Sequence, residues 1–292
     1  MDDLFADTDT FTKEDAATAK LDFAHYKSEF LKCFRMIAPE KHRYDVFRDF
    51  VTISACSLHN AIHMDMQREE EYMSILHTYK KEDQKSIPAL FGMLVAMLDY
   101  EPRDVLGILY MELEISSKDK GQFFTPQAVS DLMAEMTYGE DLKALDKPFI
   151  TLSEPACGAG GMVLAFVKTM INAGHNPAEK LWVQCIDVDR CVALMCYVQL
   201  SLWNIPGEVV VGNCLSLEVR EMWRTPQHHL GFWKSKLARK SQEEAAEHEA
   251  NFDEETSMPD QQDCKTASQE VRTDQPFTQE LDDGNPIQMD LF

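Results

Sequence analysis

Apolar positions in the first part of the chain follow helical spacing. Between residues 21 and 114 they advance in steps of three and four, a spacing that places apolar side chains on one face of an α-helix. The first such run contains Leu21, Phe23, Tyr26, Phe30, Phe34 and Ile37. Similar segments lie around residues 46–62, 72–79, 90–98 and 105–113, and Pro88 and Pro102 separate some of them. The sequence therefore predicts a bundle of helices that packs against another unit.

The pattern changes at Phe149. Short β-type runs at residues 149–152, 181–186 and 209–211 alternate with helical stretches at 162–173 and 191–202. Strands that alternate with helices indicate a parallel sheet with crossover helices. We therefore predict an α/β unit that follows the helical region. A fourth short strand is predicted at residues 219–223.

Polar, acidic composition marks the two ends of the chain. Residues 1–20 carry a charge of −4 and residues 241–292 carry −13, which leaves −5 for the middle of a protein whose net charge is −22. The C-terminal segment has too few branched apolar residues to offset the entropy of ordering it. We predict a flexible acidic lead-in (1–20), a helical region (21–116), an α/β domain (117–240) and a disordered acidic tail (241–292).

Charge and composition exclude several classes of protein. A net charge of −22 argues against a protein that grips nucleic acid through its overall field, although a local basic groove is compatible with it. The eight cysteines form no CxxC pair, so we expect reduced thiols without a zinc site. The N-terminus lacks the apolar segment of a secretory signal, and the longest apolar stretch is too short to cross a bilayer. We expect a cytoplasmic protein.

A glycine-rich turn directly follows the first predicted strand. It runs from Glu154 to Gly161, and small residues there let the backbone approach a ligand closely. Asp187 ends the second predicted strand and Asn213 the third, so three strand ends face one crevice. Taken singly, the turn is compatible with a tight connection and Asp187 with a helix N-cap. Together they favour a nucleoside site, and the acidic Glu154 favours a cationic ligand such as S-adenosylmethionine over a dinucleotide.

These residues resemble a known family. The segment from about residue 104 to 217 is similar to the N6-adenine DNA methyltransferases, especially the modification subunits of type I restriction systems. The motifs that carry the resemblance, in order, are Asp104-Val105-Leu106-Gly107, Tyr110, Gly121-Gln122-Phe123-Phe124-Thr125-Pro126 and Glu154-Pro155-Ala156-Cys157-Gly158-Ala159-Gly160-Gly161. The resemblance implies a Rossmann-like sheet that binds S-adenosylmethionine, with double-stranded DNA as the partner.

The resemblance also implies roles for individual residues. Phe124 and Thr125 would contact the methionine part of the cofactor. The amino-acid end would lie in the turn formed by Glu154, Pro155, Ala156, Gly158 and Gly160. Asp187 would hold the ribose and Asn213 the adenine.

The sequence departs from the family at the catalytic motif. The expected tetrapeptide, Asn, Asp or Ser followed by Pro-Pro and an aromatic residue, does not occur in these 292 residues. Its nearest counterpart is Thr225-Pro226-Gln227-His228, in which Thr225 offers a hydroxyl, Pro226 matches the first proline and His228 can stack on a base. The alternative is that Thr225-Pro226 begins a helix or turn. We also expect the later strands of the sheet and a target-recognition domain to be missing, which would leave the first strand near an edge.

Two hypotheses follow from this departure. In the first, the protein is an adenine-N6 methyltransferase whose recognition elements, and part of whose sheet, come from a partner subunit. In the second, it is a catalytically inactive relative that acts as an interaction, regulatory or anti-restriction protein and is recruited through its tail to the bacterial sliding clamp. The intact glycine turn favours the first hypothesis, and the missing tetrapeptide with the net charge of −22 favours the second.

Two further features add candidate interactions. The chain ends in Gln288-Met289-Asp290-Leu291-Phe292, which resembles the peptide that binds the bacterial sliding clamp. In that peptide Gln288 would anchor by hydrogen bonding, and Leu291 with Phe292 would fill an apolar pocket. His59 and His63 are spaced one helical turn apart, as in a metal-binding pair, but no third ligand is evident near them in the sequence and an ordinary helical pair explains the spacing.

Overall fold

The protein is described here from a computed structural model, which describes residues 13–113 and 125–256. The first part of the chain is helical, as the periodicity predicts. Five helices lie before the first gap: α1 (Lys13–Met36), α2 (Arg43–Asn60), α3 (Met66–Leu76), α4 (Lys81–Leu98) and α5 (Val105–Glu112).

Two sequence expectations for this helical region need correction. Helix α1 begins at Lys13, so it starts inside the segment that was expected to be flexible. Helix α4 runs through Pro88 instead of ending there. Proline removes only one backbone hydrogen bond of the helix. The buried side chains of Leu90, Leu94 and Met97 on the same helix anchor the turns that follow it.

The second part of the chain is the predicted α/β unit. It comprises α6 (Gln127–Lys143), β1 (Ile150–Glu154), α7 (Gly161–Asn172), α8 (Pro177–Lys180), β2 (Leu181–Asp187), α9 (Arg190–Leu202), β3 (Gly207–Asn213), β4 (Glu218–Arg224), α10 (Pro226–Leu230) and α11 (Trp233–Thr256). The strands form a sheet of order β1-β2-β3-β4. The first three are parallel and β4 is antiparallel to β3. The predicted fold class is therefore confirmed.

One hydrophobic core joins the helical region to the sheet. It includes Phe30 and Phe47 from the helical region together with Leu164, Val183 and Met195 from the α/β unit. Helix α2 packs directly on α9, whose own residues contact β2 and β3. The helices before residue 113 thus support the same sheet that carries the candidate site.

Within the described residues, β1 lies at one edge of the sheet, as the sequence analysis expects. Helix α11 lies beside the start of this strand. The Phe149 and Trp233 rings meet edge to face with centroids 5.1 Å apart, and Lys240 Nζ donates to Thr151 Oγ1 at 3.4 Å. The helix continues to Thr256, past residue 241, where the disordered tail was expected to begin.

Candidate functional site

Three strand-end side chains converge at one end of the sheet. Glu154, Asp187 and Asn213 are the last residues of β1, β2 and β3. Because these strands are parallel, their last residues lie at the same end, which we call the carboxyl end. The structure therefore brings together the residues that the sequence analysis selected for a nucleoside site.

The glycine-rich turn follows β1 at this end of the sheet. Its backbone conformation requires glycine at two positions. Gly158 and Gly160 adopt left-handed backbone angles, with φ values of 54° and 92°. A Cβ on Gly160 would lie 2.9 Å from Cys196 Sγ, so a larger residue would both strain the backbone and collide with α9. The amide of Cys157 donates to the carbonyl of Ile186 at 2.9 Å, which ties the turn to β2.

Asp187 connects the turn to the strand. Its Oδ2 accepts a hydrogen bond from the amide of Gly158 at 2.9 Å, and its Oδ1 accepts one from the amide of Asp189 at 2.8 Å. Burial raises the pKa of the Asp187 carboxyl, while these amide hydrogen bonds act in the opposite direction. A carboxylate offers about four lone-pair sites, so acceptor capacity remains for a hydroxyl of a ligand.

Glu154 places a second carboxyl beside the turn. Its Oε1 accepts a hydrogen bond from the amide of Ala156 at 3.3 Å, and Pro155 and Ala156 are exposed. Burial raises the pKa of the half-buried Glu154 carboxyl. A carboxylate that is partly removed from water attracts a cation more strongly than an exposed one.

Asn213 is held by the turn that follows β3. Its Oδ1 accepts hydrogen bonds from the amides of Leu215 at 2.9 Å and Ser216 at 3.4 Å. The oxygen is thus used inside the protein. The amide nitrogen of Asn213, a donor, is the group that would contact a ligand at this position.

A network of buried polar side chains holds the glycine-rich turn in place. The sequence analysis missed the central residue of this network, Gln199. Gln199 of α9 is fully buried; its Nε2 donates to Asp104 Oδ1 at 2.9 Å and to the carbonyl of Ala159 at 2.8 Å. Its Oε1 accepts from the amide of Leu106 at 3.0 Å. The only signal in the sequence is a glutamine within a largely apolar helical stretch.

Asp104 is the N-cap of α5 and links three elements. Its Oδ1 accepts from the amide of Gly107 at 2.7 Å, and its carboxyl lies 3.6 Å from the position of a Cβ on Gly161. Burial raises the pKa of this carboxyl. The Asp104 amide donates to Gln127 Oε1 at 3.1 Å, so the start of α6 is joined to the same network.

The predicted methionine-contacting residues are only partly described. Phe124 lies outside the described residues. Thr125 is exposed, and it precedes Pro126, which occupies the N-cap position of α6 without a side-chain hydrogen bond. The cap position of α6 is therefore held by Pro126 and not by Thr125. Thr125 still lies two positions before Gln127, whose side chain contacts Asp104.

The structure contradicts the proposed catalytic tetrapeptide. Residues Thr225, Pro226 and His228 follow β4, and β4 runs antiparallel to β3, with Arg224 paired to Glu208. Thr225 is fully buried, where its Oγ1 accepts from the amide of Gly207 at 3.0 Å and donates to the carbonyl of Ile205 at 2.8 Å. Gly207 begins β3 and Asn213 ends it, a separation of about 20 Å at 3.3 Å per residue.

Thr225 and His228 therefore lie at the opposite end of the sheet, which we call the amino end. Thr225 is the N-cap residue of α10 and Pro226 its first residue, as the alternative interpretation predicts. His228 is buried, and its Nδ1 accepts a hydrogen bond from Trp182 Nε1 at 3.1 Å. Burial lowers the pKa of His228 to about 3. These residues stabilise the fold and cannot reach a ligand at the carboxyl end.

Four histidines meet at the amino end, which the sequence analysis did not anticipate. His59, His63, His228 and His229 line a cleft of about 690 Å³. The His63 and His229 rings stack with centroids 5.6 Å apart and planes 2° from parallel. Burial lowers the pKa of His59 to about 4. The two pairs come from α2 and its C-terminal turn and from α10, so no local sequence spacing relates them.

The fold and the carboxyl-end site define a methyltransferase-type α/β protein, and comparison with known proteins gives the family. The N-6 DNA methylase family model matches residues 103–255, just over half of the 292 residues. The chain belongs to the N-6 DNA methylase family.

Other comparisons are more distant. A proposed class I S-adenosylmethionine-dependent methyltransferase from Listeria monocytogenes matches with 13% sequence identity and a TM-score of 0.36. That alignment covers 65% of this chain and 52% of the other, so this chain spans about half the length of that protein. No curated protein matches the sequence.

Among residues 13–113 and 125–256, no helix combines the length and the hydropathy that a membrane span requires.

Proposed function

We propose that this protein binds S-adenosylmethionine at the carboxyl end of β1, β2 and β3. The observation that carries the proposal is the convergence of Glu154, Asp187 and Asn213 beside a turn with two left-handed glycines. Membership of the N-6 DNA methylase family supports the same ligand class. The residues present also fit the group, because Gly160 leaves no room for a side chain and Asp187 retains acceptor capacity.

Each residue has a defined task in this proposal. The Glu154 carboxylate attracts the ammonium group of the amino-acid end, and the turn from Pro155 to Gly160 lets that end approach the backbone. Asp187 accepts hydrogen bonds from the ribose hydroxyls. Asn213 donates its amide hydrogens to a ring nitrogen of the adenine. Phe124 and Thr125 complete the methionine side.

The substrate that we propose is adenine N6 in double-stranded DNA. When bound, S-adenosylmethionine would supply an electrophilic methyl group for transfer to N6, with S-adenosylhomocysteine as the product and the N6 proton released to solvent. The residues that orient the adenine would come from a partner subunit, since Thr225 and His228 lie about 20 Å away from Asn213 along β3.

A second candidate function is favoured by a specific observation. The sequence contains no catalytic tetrapeptide, and its nearest counterpart is buried at the wrong end of the sheet. A catalytically inactive family member that keeps the cofactor site and acts as an interaction, regulatory or anti-restriction protein would show the same geometry.

The first experiment is calorimetric titration of the full chain with S-adenosylmethionine. We expect wild-type binding, and a loss of at least about 100-fold in Asp187→Ala, because the change removes the ribose acceptor and the Gly158 anchor. Asp187→Asn keeps one oxygen acceptor and should weaken binding less. His229→Ala, at the amino end, is the matched control and should keep the wild-type affinity. Equal affinity in Asp187→Ala and wild type would refute the proposed site.

A methyl-transfer assay then separates the two candidate functions. Tritiated S-adenosylmethionine is incubated with adenine-containing duplex DNA and the purified chain, and DNA from cells that express the chain is analysed for N6-methyladenine. Methylation in cells without transfer by the pure chain would support a partner-dependent enzyme. Binding with no methylation in either setting would support the inactive relative. Transfer by the pure chain alone would contradict the requirement for a partner.

We also propose that the terminal peptide Gln288–Phe292 binds the bacterial sliding clamp. These residues lie outside the described residues, so the proposal rests on the sequence resemblance. Deletion of Leu291 and Phe292 should abolish clamp binding in a pull-down with purified clamp and should leave the affinity for S-adenosylmethionine unchanged. Retention of clamp binding in the truncated protein would contradict this assignment.

A further inference from the structure

Three cysteine thiols converge beneath the glycine turn. Cys157 belongs to the turn, Cys185 to β2 and Cys196 to α9, and their Sγ atoms all lie within 4.8 Å of one another. All three residues are buried, with exposed fractions of 6%, 0% and 0%. They are free thiols. We call these residues the thiol cluster.

The surrounding backbone holds the thiol cluster in place. The Cys157 amide donates to the carbonyl of Ile186, the residue after Cys185, and the Cys157 carbonyl accepts from the amide of Gly160 at 2.8 Å. A Cβ on Gly160 would lie 2.9 Å from the Cys196 sulfur, so the absence of a side chain there lets α9 bring its thiol under the turn. The turn, β2 and α9 thus each place one sulfur atom in the thiol cluster.

The spacing of the sulfur atoms suits three-coordinate metal binding. With a metal–sulfur bond of about 2.3 Å, the value for zinc thiolates, three ligands in a trigonal plane lie about 4.0 Å apart. Sulfur separations of up to 4.8 Å require only a small contraction to reach that geometry. Among the described residues, no histidine or carboxylate joins this group as a further ligand.

We propose that the thiol cluster binds a soft, thiol-seeking metal ion of low coordination number, with Cu(I) as the representative. Sulfur-only ligands select soft ions over magnesium or calcium, which prefer oxygen. Zinc in structural sites takes four ligands, and the thiol cluster offers three. Each thiol that ligates releases its proton to solvent, and the metal keeps its oxidation state.

Metal binding would join the glycine turn to β2 and α9. The ion would add three bonds between elements that are otherwise connected by packing and by hydrogen bonds such as Cys157–Ile186, Gly158–Asp187 and Gln199–Ala159. A ligand that binds only the folded state raises its stability. The turn that carries Cys157 meets solvent at Pro155 and Ala156, which are exposed, and at Gly158, which is partly exposed. This inference does not depend on the proposed S-adenosylmethionine site.

The test is an anaerobic titration of the reduced full chain with Cu(I) in the presence of a competing chelator, bicinchoninate. We expect one tightly held Cu(I) per chain, three sulfur neighbours by X-ray absorption at the copper edge, and a higher melting temperature. Cys185→Ser and Cys196→Ser should lose this Cu(I). Cys56→Ser, which alters a fully buried cysteine on α2 outside the thiol cluster, is the matched control and should keep it.

Two further measurements keep the proposal falsifiable if the serine variants do not fold. Alkylation mapping of the wild-type protein during partial unfolding should show that Cu(I) protects Cys157, Cys185 and Cys196. A parallel titration with Zn²⁺ should show weaker competition against a matched chelator. Protection of other cysteines, two sulfur neighbours instead of three, or preferred binding of Zn²⁺ with four ligands would overturn the assignment, as would retention of Cu(I) by folded Cys196→Ser protein.

Discussion

The two ends of the sheet carry polar clusters of opposite character. At the carboxyl end, Glu154, Asp187 and Asp104 are carboxyls whose pKa values burial raises. At the amino end, His59 and His228 are imidazoles whose pKa values burial lowers. The same physical cause, loss of water around a charged form, acts on acids in one case and on bases in the other.

The two ends also differ in how their polar groups are used. At the carboxyl end, the hydrogen bonds of Asp187 and Asn213 hold turns and leave part of each side chain for a ligand. At the amino end, the Thr225 hydroxyl both donates and accepts within the protein. This difference shows that a polar residue after a strand indicates a ligand site only when the direction of that strand is known. Three predictions test the comparison.

The largest loss of stability is expected when the buried polar network beneath the carboxyl end of the sheet is disrupted. Gln199→Leu removes the donor to Asp104 and Ala159 and the acceptor for Leu106. Because these groups are buried, we expect a loss of about 3–5 kcal/mol in the free energy of unfolding. Urea unfolding followed by circular dichroism measures this.

Asp104 provides the control for that network. Asp104→Asn keeps an oxygen that can accept from Gly107 and Gln199, so its stability at neutral pH should equal or exceed that of the wild type. Asp104→Ala should lose about 1–3 kcal/mol. A loss of less than about 1 kcal/mol in Gln199→Leu would show that the network is not the main support of the turn.

A smaller loss of stability is expected when either of two glycines with the same left-handed backbone conformation is replaced by alanine. Gly160 and Gly174 have φ values of 92° and 86°, but a Cβ on Gly174 would contact nothing within 4 Å. Gly174→Ala should therefore show only the backbone strain, about 1–2 kcal/mol. Gly160→Ala should lose a further 1–3 kcal/mol or so because of the contact with Cys196.

The double variant Gly160→Ala/Cys196→Ala isolates the steric part of that loss. It removes the sulfur that the new methyl group would meet, so part of the loss should be recovered beyond the sum of the two single changes. Additive losses in the double variant would show that the turn moves away from α9 instead of colliding with it.

Part of this fold could be predicted from the sequence. The three parallel strands follow from apolar runs that alternate with helices, and the positions of Glu154, Asp187 and Asn213 follow from the rule that parallel strands end on one side. The amphipathic helices before residue 113 were predicted from their spacing. Local pattern is sufficient for these features because each depends on a few neighbouring residues.

Other parts could not be predicted because they depend on distant pairs. The antiparallel pairing of β4 with β3 sets the direction of β4. Thr225 and His228, which follow β4, therefore lie away from the predicted site. Gln199 contacts Asp104 across 95 positions, and the thiol cluster unites residues 157, 185 and 196. The helix through Pro88 shows the same limit, since tertiary packing overrides a local helix breaker.

The smallest effect is expected in the pH dependence of the free energy of unfolding. This dependence tests directly whether burial shifts the pKa values of the carboxyls and of the histidines in opposite directions. An unfolded histidine titrates near about 6.5. Burial lowers the pKa of His228 to about 3 and that of His59 to about 4 in the folded protein, so below about 6.5 the unfolded state binds more protons and stability falls. The carboxyls with raised pKa values act in reverse: above the unfolded value of about 4, their extra folded-state protons add stability as the pH falls.

Urea unfolding at a series of pH values between 7 and 4.5 separates these two contributions. His228→Gln should reduce the acid loss by up to about 1.4 kcal/mol per pH unit, and His59→Gln/His228→Gln should reduce it further. Asp187→Asn removes an opposing contribution and should make the acid loss steeper. The same slope in wild type and His228→Gln would contradict a buried neutral imidazole at the amino end, because only a histidine that titrates alike in both states leaves the slope unchanged.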